Sequence, residues 1–254
     1  DYSQRVMGRK ILALYGKSRQ NDNLEGIRTF MAEARRLGFG LLCHEKFAGY
    51  LSGCGVPSDM IPVVFSDTPD ADAAVSFGGD GTFLRTARRI GARRIPIAGV
   101  NTGHLGYLAH FDIDDPLMLL RGLLDGSLKS QSRKLISVRG DSMPEGFACD
   151  ALNEIAVMKD DSASMINVNV TLDGFYLADY RADGLIVSTA TGSTAYNLSV
   201  GGPILQPELD CMVISPVAPH SLTLRPIVVA GSSRLHLRMA SRTGSYRLSV
   251  DGYS

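Results

Sequence analysis

The stretch that most constrains this chain runs from Ala73 to Ala87. Ala73-Ala74-Val75-Ser76-Phe77 is an apolar run of strand length. It stops at Gly78-Gly79-Asp80-Gly81-Thr82, and the chain resumes with Phe83, Leu84 and Ala87 at helical spacing. Glycines at 78, 79 and 81 can expose backbone N–H groups without Cβ obstruction, and a helix N-terminus follows. Both features favour a bound phosphate. Asp80 does not suit such a cradle, because a carboxylate repels phosphate. Either it faces a hydroxyl or a metal ion, or it merely caps the helix. The motif alone leaves both readings open.

The flanking pattern places this turn in a sheet. Residues 10–15 read as a first buried strand, and residues 23–37 as a helix with Leu24, Ile27, Phe30, Met31 and Ala34 on one face and Gly38 as its stop. Residues 39–43 are a second strand, 53–59 a Gly/Pro/Ser loop, and 95–100 another strand leading into Asn101-Thr102-Gly103-His104-Leu105-Gly106-Tyr107. Alternating strands and helices argue a parallel sheet, in which ligands sit at the carboxyl ends of the strands. That places Asp80 and residues 101–107 on one edge. Asp114-Asp115-Pro116 opens a further helix, with Leu117, Leu120, Leu123 and Leu124 as its expected apolar face and Gly126 as its end.

From Lys134 onward the pattern is strand after strand: 135–139, 151–158, 166–172, 175–180, 185–188, 213–217, 227–230, 235–239 and 246–250. Asp173-Gly174 between two of them is a strong hairpin signal. The expected organisation is an α/β domain over residues 1–126 and an all-β domain over residues 127–254.

Composition removes several function classes. The 254 residues carry 26 Lys and Arg against 26 Asp and Glu, with no basic tract, so neither a nucleic-acid surface nor a polybasic membrane surface is expected. No apolar run approaches the ~20 residues that span a bilayer, and no signal-peptide core opens the chain. Cys43, Cys54, Cys149 and Cys211 lie far apart without a CxxC, which reads as a reduced, cytoplasmic protein with no zinc site. The chain opens at Asp1 rather than Met, which reads as a trimmed or tagged start.

The second half carries its own polar signals. Asn153-Glu154 interrupts an apolar strand entry with an amide and a carboxylate, groups suited to sugar hydroxyls. Residues 183–203 run from a strand into Ser188-Thr189-Ala190-Thr191-Gly192-Ser193-Thr194, then Tyr196 and Gly201-Gly202. Small side chains let a ligand approach the backbone. Tyr196 either stacks on a base or sits in the core, and the first reading is favoured because so many small polar residues bury little apolar area. His220 lies in a loop with no neighbouring Ser or Cys motif, which argues against a hydrolase triad. Asp251-Gly252 reads as a turn.

In order and spacing, Gly78-Gly79-Asp80-Gly81-Thr82, residues 101–107, Asn153-Glu154, residues 183–203 and residues 219–226 resemble the bacterial NAD kinases over nearly the whole chain. Diacylglycerol kinases, sphingosine kinases and phosphofructokinases carry similar glycine motifs; the 183–203 block is the more specific part. The resemblance implies an α/β N-terminal Rossmann-like domain plus an all-β sandwich-like C-terminal domain. NAD would bind between them, often at a subunit contact of a homodimer or homotetramer. It implies transfer of the γ-phosphoryl of ATP to the adenosine ribose 2′-OH of NAD, with Mg²⁺ or another divalent cation accompanying ATP. Asp80 is then the catalytic base, and Gly79, Gly81, Thr82, Arg85, Tyr107 and Thr191 are nucleotide contacts. Asn153 and Glu154 match ribose ligands, and Asp183 matches the residue that recognises the nicotinamide amide. Thr194, Ala195, Tyr196 and Ser199 match positions around the adenine and its ribose, and Arg181 and Ala218 match further nucleotide contacts.

The chain departs from the family in three places. Tyr107 stands where Phe is common, Tyr253 where Gln is common, and family members continue past the position of Ser254 with a tail. No GxxxxGK[ST] is present, so no Walker lysine supplies charge. The cation, held mainly by the triphosphate, and the amides of residues 78–82 would do so instead. Two other readings remain at this stage: a lipid kinase of the diacylglycerol type, which leaves the 183–199 block unexplained, and a non-catalytic NAD(P)-binding regulator.

Overall fold

The computed structural model of the chain describes residues 9–17, 23–103, 106–140, 143, 147, 149–160 and 164–253. They fall into two compact units, Asp1–Gln131 and Ser132–Ser254.

The first unit is built on a six-stranded, wholly parallel sheet: β1 (Ile11–Gly16), β2 (Gly40–His44), β3 (Val63–Phe65), β4 (Ala73–Phe77), β5 (Ile97–Asn101) and β6 (Phe111–Asp112). The strand order is β3-β2-β1-β4-β5-β6. The chain winds outward one way from β1 to β3, then returns to β4 and winds the other way. The order therefore reverses between β1 and β4, where a doubly wound sheet opens its ligand crevice. Gly16 and Phe77 lie opposite each other at the carboxyl ends of those two strands, so the glycine turn leaves the sheet at the reversal.

Four helices cover this sheet: α1 (Leu24–Arg36), α2 (Glu45–Gly53), α3 (Asp80–Ile90) and α4 (Pro116–Asp125). Asn23 caps α1 by accepting from the Gly26 amide, and α1 buries Ile27, Phe30, Met31 and Ala34, the face its spacing predicts. Phe77, the last residue of β4, meets Phe30 edge-on at 5.0 Å and stacks on Phe47 at 5.6 Å. Each buried ring contributes about 1.5–3 kcal/mol, so the residue directly before the glycine turn is among the best anchored in the unit.

Some elements differ from the sequence reading. Helix α4 buries Pro116, Leu119, Leu120 and Gly122; Leu117 and Leu123 are half-buried and Leu124 is exposed. The rotation follows from Gly122, whose missing side chain lets Leu128 pack against the helix. Helix α2 and strands β3 and β6 were not expected. β3 is a three-residue edge strand, with Val63 and Val64 both exposed despite the apolar run they belong to.

The second unit is antiparallel: β7 (Ile136–Ser137), β8 (Asp150–Ala151), β9 (Glu154–Lys159), β10 (Ile166–Leu172), β11 (Phe175–Ala182), β12 (Gly184–Thr189), β13 (Cys211–Val217), β14 (Ile227–Ala230), β15 (Leu235–Ala240) and β16 (Tyr246–Val250). A five-stranded sheet runs β14-β13-β12-β9-β16 and a three-stranded sheet runs β11-β10-β15; β7 and β8 pair separately. Val157, Leu185 and Ile214 of the larger sheet share one core with Ile166, Val168, Val170 and Tyr180 of the smaller, which makes a two-sheet sandwich. Asp173 and Gly174 join β10 to β11 with φ of 52° and 87°. A two-residue hairpin needs that left-handed pair, and Asp-Gly supplies it.

The strand expected over residues 151–158 is two strands. β8 ends at Ala151 and β9 starts at Glu154, because the amides between are bound by a carboxylate. Among the described residues no helix is long and apolar enough to cross a membrane.

Candidate active site

In the first unit the site is the turn from β4 into α3. Gly78 has φ 138°, a conformation open only to glycine, and its amide donates to Val100 O at 2.9 Å. Gly79 is the N-cap and α3 begins at Asp80. Asp80 does not cap the helix, which removes that reading. Its two carboxylate oxygens accept from the amides of Tyr107 and Leu108, each at 2.9 Å. The acid thus ties the start of α3 to the segment after β5, and its orientation is fixed by two charge-assisted hydrogen bonds.

Gly106 completes the grip: a Cβ there would overlap the Asp80 carboxylate. Gly106→Ala is therefore expected to push the Asp80 carboxylate off the Tyr107 and Leu108 amides and to lower the melting temperature by several degrees, which a thermal melt checks. His104 and Leu105 of the same motif lie outside the described residues.

Gly79 and Gly81 differ from Gly78. Neither has positive φ, and an added Cβ would meet no atom within 4 Å at Gly79 and only Arg85 Nη1 at 3.9 Å at Gly81. Neither contact nor conformation requires glycine there, and the open backbone leaves room for a ligand to approach closely. The Thr82 and Phe83 amides bond to Gly79 O, so the amides of Gly79, Asp80 and Gly81 are the ones left at this helix start for such a ligand. The Thr82 side chain is buried and accepts from Arg85 Nη2 at 3.0 Å. Helix α3 rests on Thr82, Thr86 and Ile90 rather than on the half-buried Phe83, Leu84 and Ala87. Thr86 Oγ1 bonds Ser76 Oγ at 3.1 Å. The side chain of Tyr107 is exposed, and its backbone is what holds Asp80.

In the second unit, Asn153 and Glu154 are both 9% exposed. Asp251, a turn residue with φ 49°, places its carboxylate against their backbone. It accepts from the amides of Leu152 (2.8 Å), Asn153 (2.8 Å) and Glu154 (3.1 Å). The Glu154 carboxylate accepts from the Tyr196 backbone amide, yet its Oε2 is buried without a partner, as is Thr191 Oγ1. Burial first, and then the negative charge of Asp251, push the Glu154 carboxyl up to about 7. A buried polar atom without a partner costs about 1–3 kcal/mol. Two of them beside Asn153 form a site that ligand hydroxyls would satisfy.

The hydroxyl-rich tract that follows is largely framework. Ser188 Oγ bonds Asn153 O and Thr189 O, and Thr189 Oγ1 bonds Leu152 O at 2.6 Å while accepting from the Gly192 amide. Gly192 sits so close to the Asn153 carbonyl that any side chain would overlap it. Asn197 is fully buried, donates to Ser193 O and Pro203 O, and accepts from Ser215 Oγ at 2.7 Å. Tyr196 opens a short helix, α5 (Tyr196–Ser199), and is 39% exposed, so the core reading of this residue falls. Thr194 and Ala195 are half-buried and Ser199 is exposed.

Arg181, Asp183 and Ala218 gather elsewhere. The Asp183 amide donates to Val217 O, Lys159 Nζ pairs with Asp183 Oδ1 at 2.8 Å, and His220 N donates to Arg181 O. Arg181 and Ala218 are exposed, Ala218 with φ 45°. Strand β12 links the two groups: Ser188 pairs with Glu154 at one end and Gly184 with Val217 at the other. At ~3.4 Å per residue the ends are about 14 Å apart. The sequence reading missed Asp251, Asn197 and Thr189 as site builders, because each acts on backbone that only the fold brings near.

Open glycines at a helix start invite phosphate, and unsatisfied buried oxygens invite sugar hydroxyls; a kinase acting on nucleotides is the class that needs both. Family comparison makes this specific. Residues 63–128 match the ATP-NAD kinase N-terminal domain and residues 152–254 the ATP-NAD kinase C-terminal domain. An NAD kinase of Porphyromonas gingivalis is 40% identical over 251 residues, covering 96% of this chain and 84% of that one. One from Bacteroides fragilis is 44% identical over 185 residues, 73% of this chain and 64% of that one. The chain belongs to the NAD kinase family. Its fold matches yeast NADH kinase complexed with NADH (TM-score 0.85, 24% identity, 96% of this chain and 75% of that one). It also matches an NAD kinase from Archaeoglobus fulgidus in complex with ATP (TM-score 0.71, 27% identity, 96% and 85%).

Proposed function

We infer that the protein phosphorylates the adenosine ribose 2′-OH of NAD with ATP, giving NADP. The buried, unpartnered oxygen of Glu154 carries the reading, since a sugar hydroxyl is the donor it lacks. Asn153 and Glu154 take the ribose, with Thr191 beside them; Thr194, Ala195, Tyr196 and Ser199 take the adenosine side. Arg181, Asp183 and Ala218 contact the nucleotide at the other end of β12, Asp183 through the nicotinamide amide.

Asp80 accepts the proton of the 2′-OH. The amides of Tyr107 and Leu108 each take one lone-pair direction of its carboxylate and leave the others for the substrate. Phosphoryl transfer asks the protein chiefly for alignment and charge neutralisation. The amides of Gly79 to Gly81 supply part of the latter, with Thr82 and Arg85 shaping that turn and Tyr107 bordering it. Among the described residues no group of three His, Cys, Asp or Glu side chains could hold a metal ion. The divalent cation would arrive on the triphosphate of ATP, where it would neutralise phosphate charge.

A homodimer or homotetramer and a cytoplasmic location complete the proposal, the latter supported by four unpaired thiols. Among the described residues no feature favours the lipid-kinase or regulator readings. The test is NADP formation from NAD and Mg-ATP, read with an NADP-specific dehydrogenase. NAD binding without ATP consumption would point to the regulator; neither binding nor turnover would overturn the assignment.

A further inference from the structure

We infer that Asp251 is a positioning residue of the nucleotide site, acting through Asn153 and Glu154; the inference rests on the NAD kinase reading. One carboxylate takes the three successive amides of Leu152, Asn153 and Glu154 at 2.8–3.1 Å. Those amides would otherwise continue the ladder of β8 or β9 and turn the Asn153 and Glu154 side chains to follow strand alternation. The turn that carries Asp251 is itself tied back, its amide donating to Glu154 O at 3.0 Å and Val250 pairing with Ile155. The grip is therefore reciprocal, and it fixes the backbone from which both ligand side chains project.

Asp251 also sets the charge that Glu154 feels. The groups that act on Glu154 are the Tyr196 amide and the Asp251 carboxylate, and Ser188 of β12 lies opposite it in the sheet. Asp251 is the titratable one among them, and its negative charge raises the Glu154 carboxyl further than burial alone. Two effects of one side chain can thus be separated: acceptor geometry and charge.

Asp251→Asn keeps the size but turns an NH₂ group toward at least one of the three amides. KM for NAD at pH 8 is expected to rise about tenfold, the scale of one lost hydrogen bond to a charged group, with kcat at saturating NAD within about threefold. The acid limb of kcat/KM for NAD is expected to move to lower pH, because Glu154 loses its negative neighbour. The shift should be absent when Glu154→Gln is added. A merely structural residue would lower the melting temperature without moving that limb. If Asp251→Asn fails to fold, Asp251→Glu takes its place: the charge stays on a longer arm, so KM rises several-fold and the limb does not move. An unchanged KM in the folded variant, or an unmoved limb in Asp251→Asn, overturns the inference. Wild-type protein that makes no NADP would instead overturn the kinase reading.

Discussion

Asp80→Asn is expected to lower kcat for NADP formation about 1,000-fold while KM for NAD stays within about threefold. A positioned general base contributes roughly 10²–10⁴, and the amide side chain cannot take the 2′-OH proton. The structure adds a second consequence. Asp80 uses both oxygens on backbone amides, so an Asn must point its NH₂ at the amide of Tyr107 or Leu108. That donor–donor contact costs about 1–3 kcal/mol, which in a domain of this size is a fall of several degrees in melting temperature. NAD calorimetry beside a thermal melt separates the two effects: binding persists while the melt falls by those few degrees. Turnover within tenfold of wild type would remove Asp80 from the chemistry.

The second large effect is at Glu154, where function and stability are expected to move in opposite directions. Its carboxyl is raised from 4.5 to about 7. The folded protein therefore holds a proton that the unfolded chain has released between those values, and stability falls as pH rises from about 4.5 to about 7. Above pH 7 the full cost remains, at most roughly 3–4 kcal/mol at ~1.4 kcal/mol per pKa unit. Glu154→Gln removes that titration, so at pH 8 the variant is expected to melt several degrees higher than wild type, with no difference near pH 4. Its KM for NAD rises about 30-fold or more, because an ionised acceptor for a ribose hydroxyl is gone. For the same reason wild-type kcat/KM for NAD should climb with pH through about 7. A variant that melts below wild type at pH 8 would show that Glu154 is stabilised by its surroundings rather than strained by them.

How far the sequence discloses this molecule depends on whether a residue acts locally. The parallel sheet, though not its strand order, follows from buried runs such as β1 and β4 alternating with helices, and the hairpin at Asp173-Gly174 follows from two residues that must both adopt positive φ. Glycine spacing marked the turn from β4 into α3, and the nearby acid was conspicuous because it did not suit a phosphate cradle. The partners of that acid were not legible, since Tyr107 and Leu108 reach Asp80 with backbone amides, which every residue but proline carries. The split of residues 151–158 into two strands was hidden for a related reason: its cause, Asp251, lies 97 to 99 positions along the chain from the amides it holds. The Ser/Thr tract was legible as special but not in its division of labour. Its hydroxyls mostly clamp neighbouring carbonyls, and only the fold shows that Thr191 Oγ1 is left over.

Gly81 carries a lesson for anyone selecting heat-resistant descendants of this protein. It lies inside α3, its backbone is not strained for an ordinary residue and it faces no crowded wall, so alanine there would narrow the unfolded ensemble and raise stability by about 0.4–1 kcal/mol. A selection that rewards only survival of the fold would drift toward a methyl group at the helix start proposed to meet phosphate through bare backbone. Such lineages would grow hardier as they lost their co-substrate, and thermal scans alone would record the loss as progress.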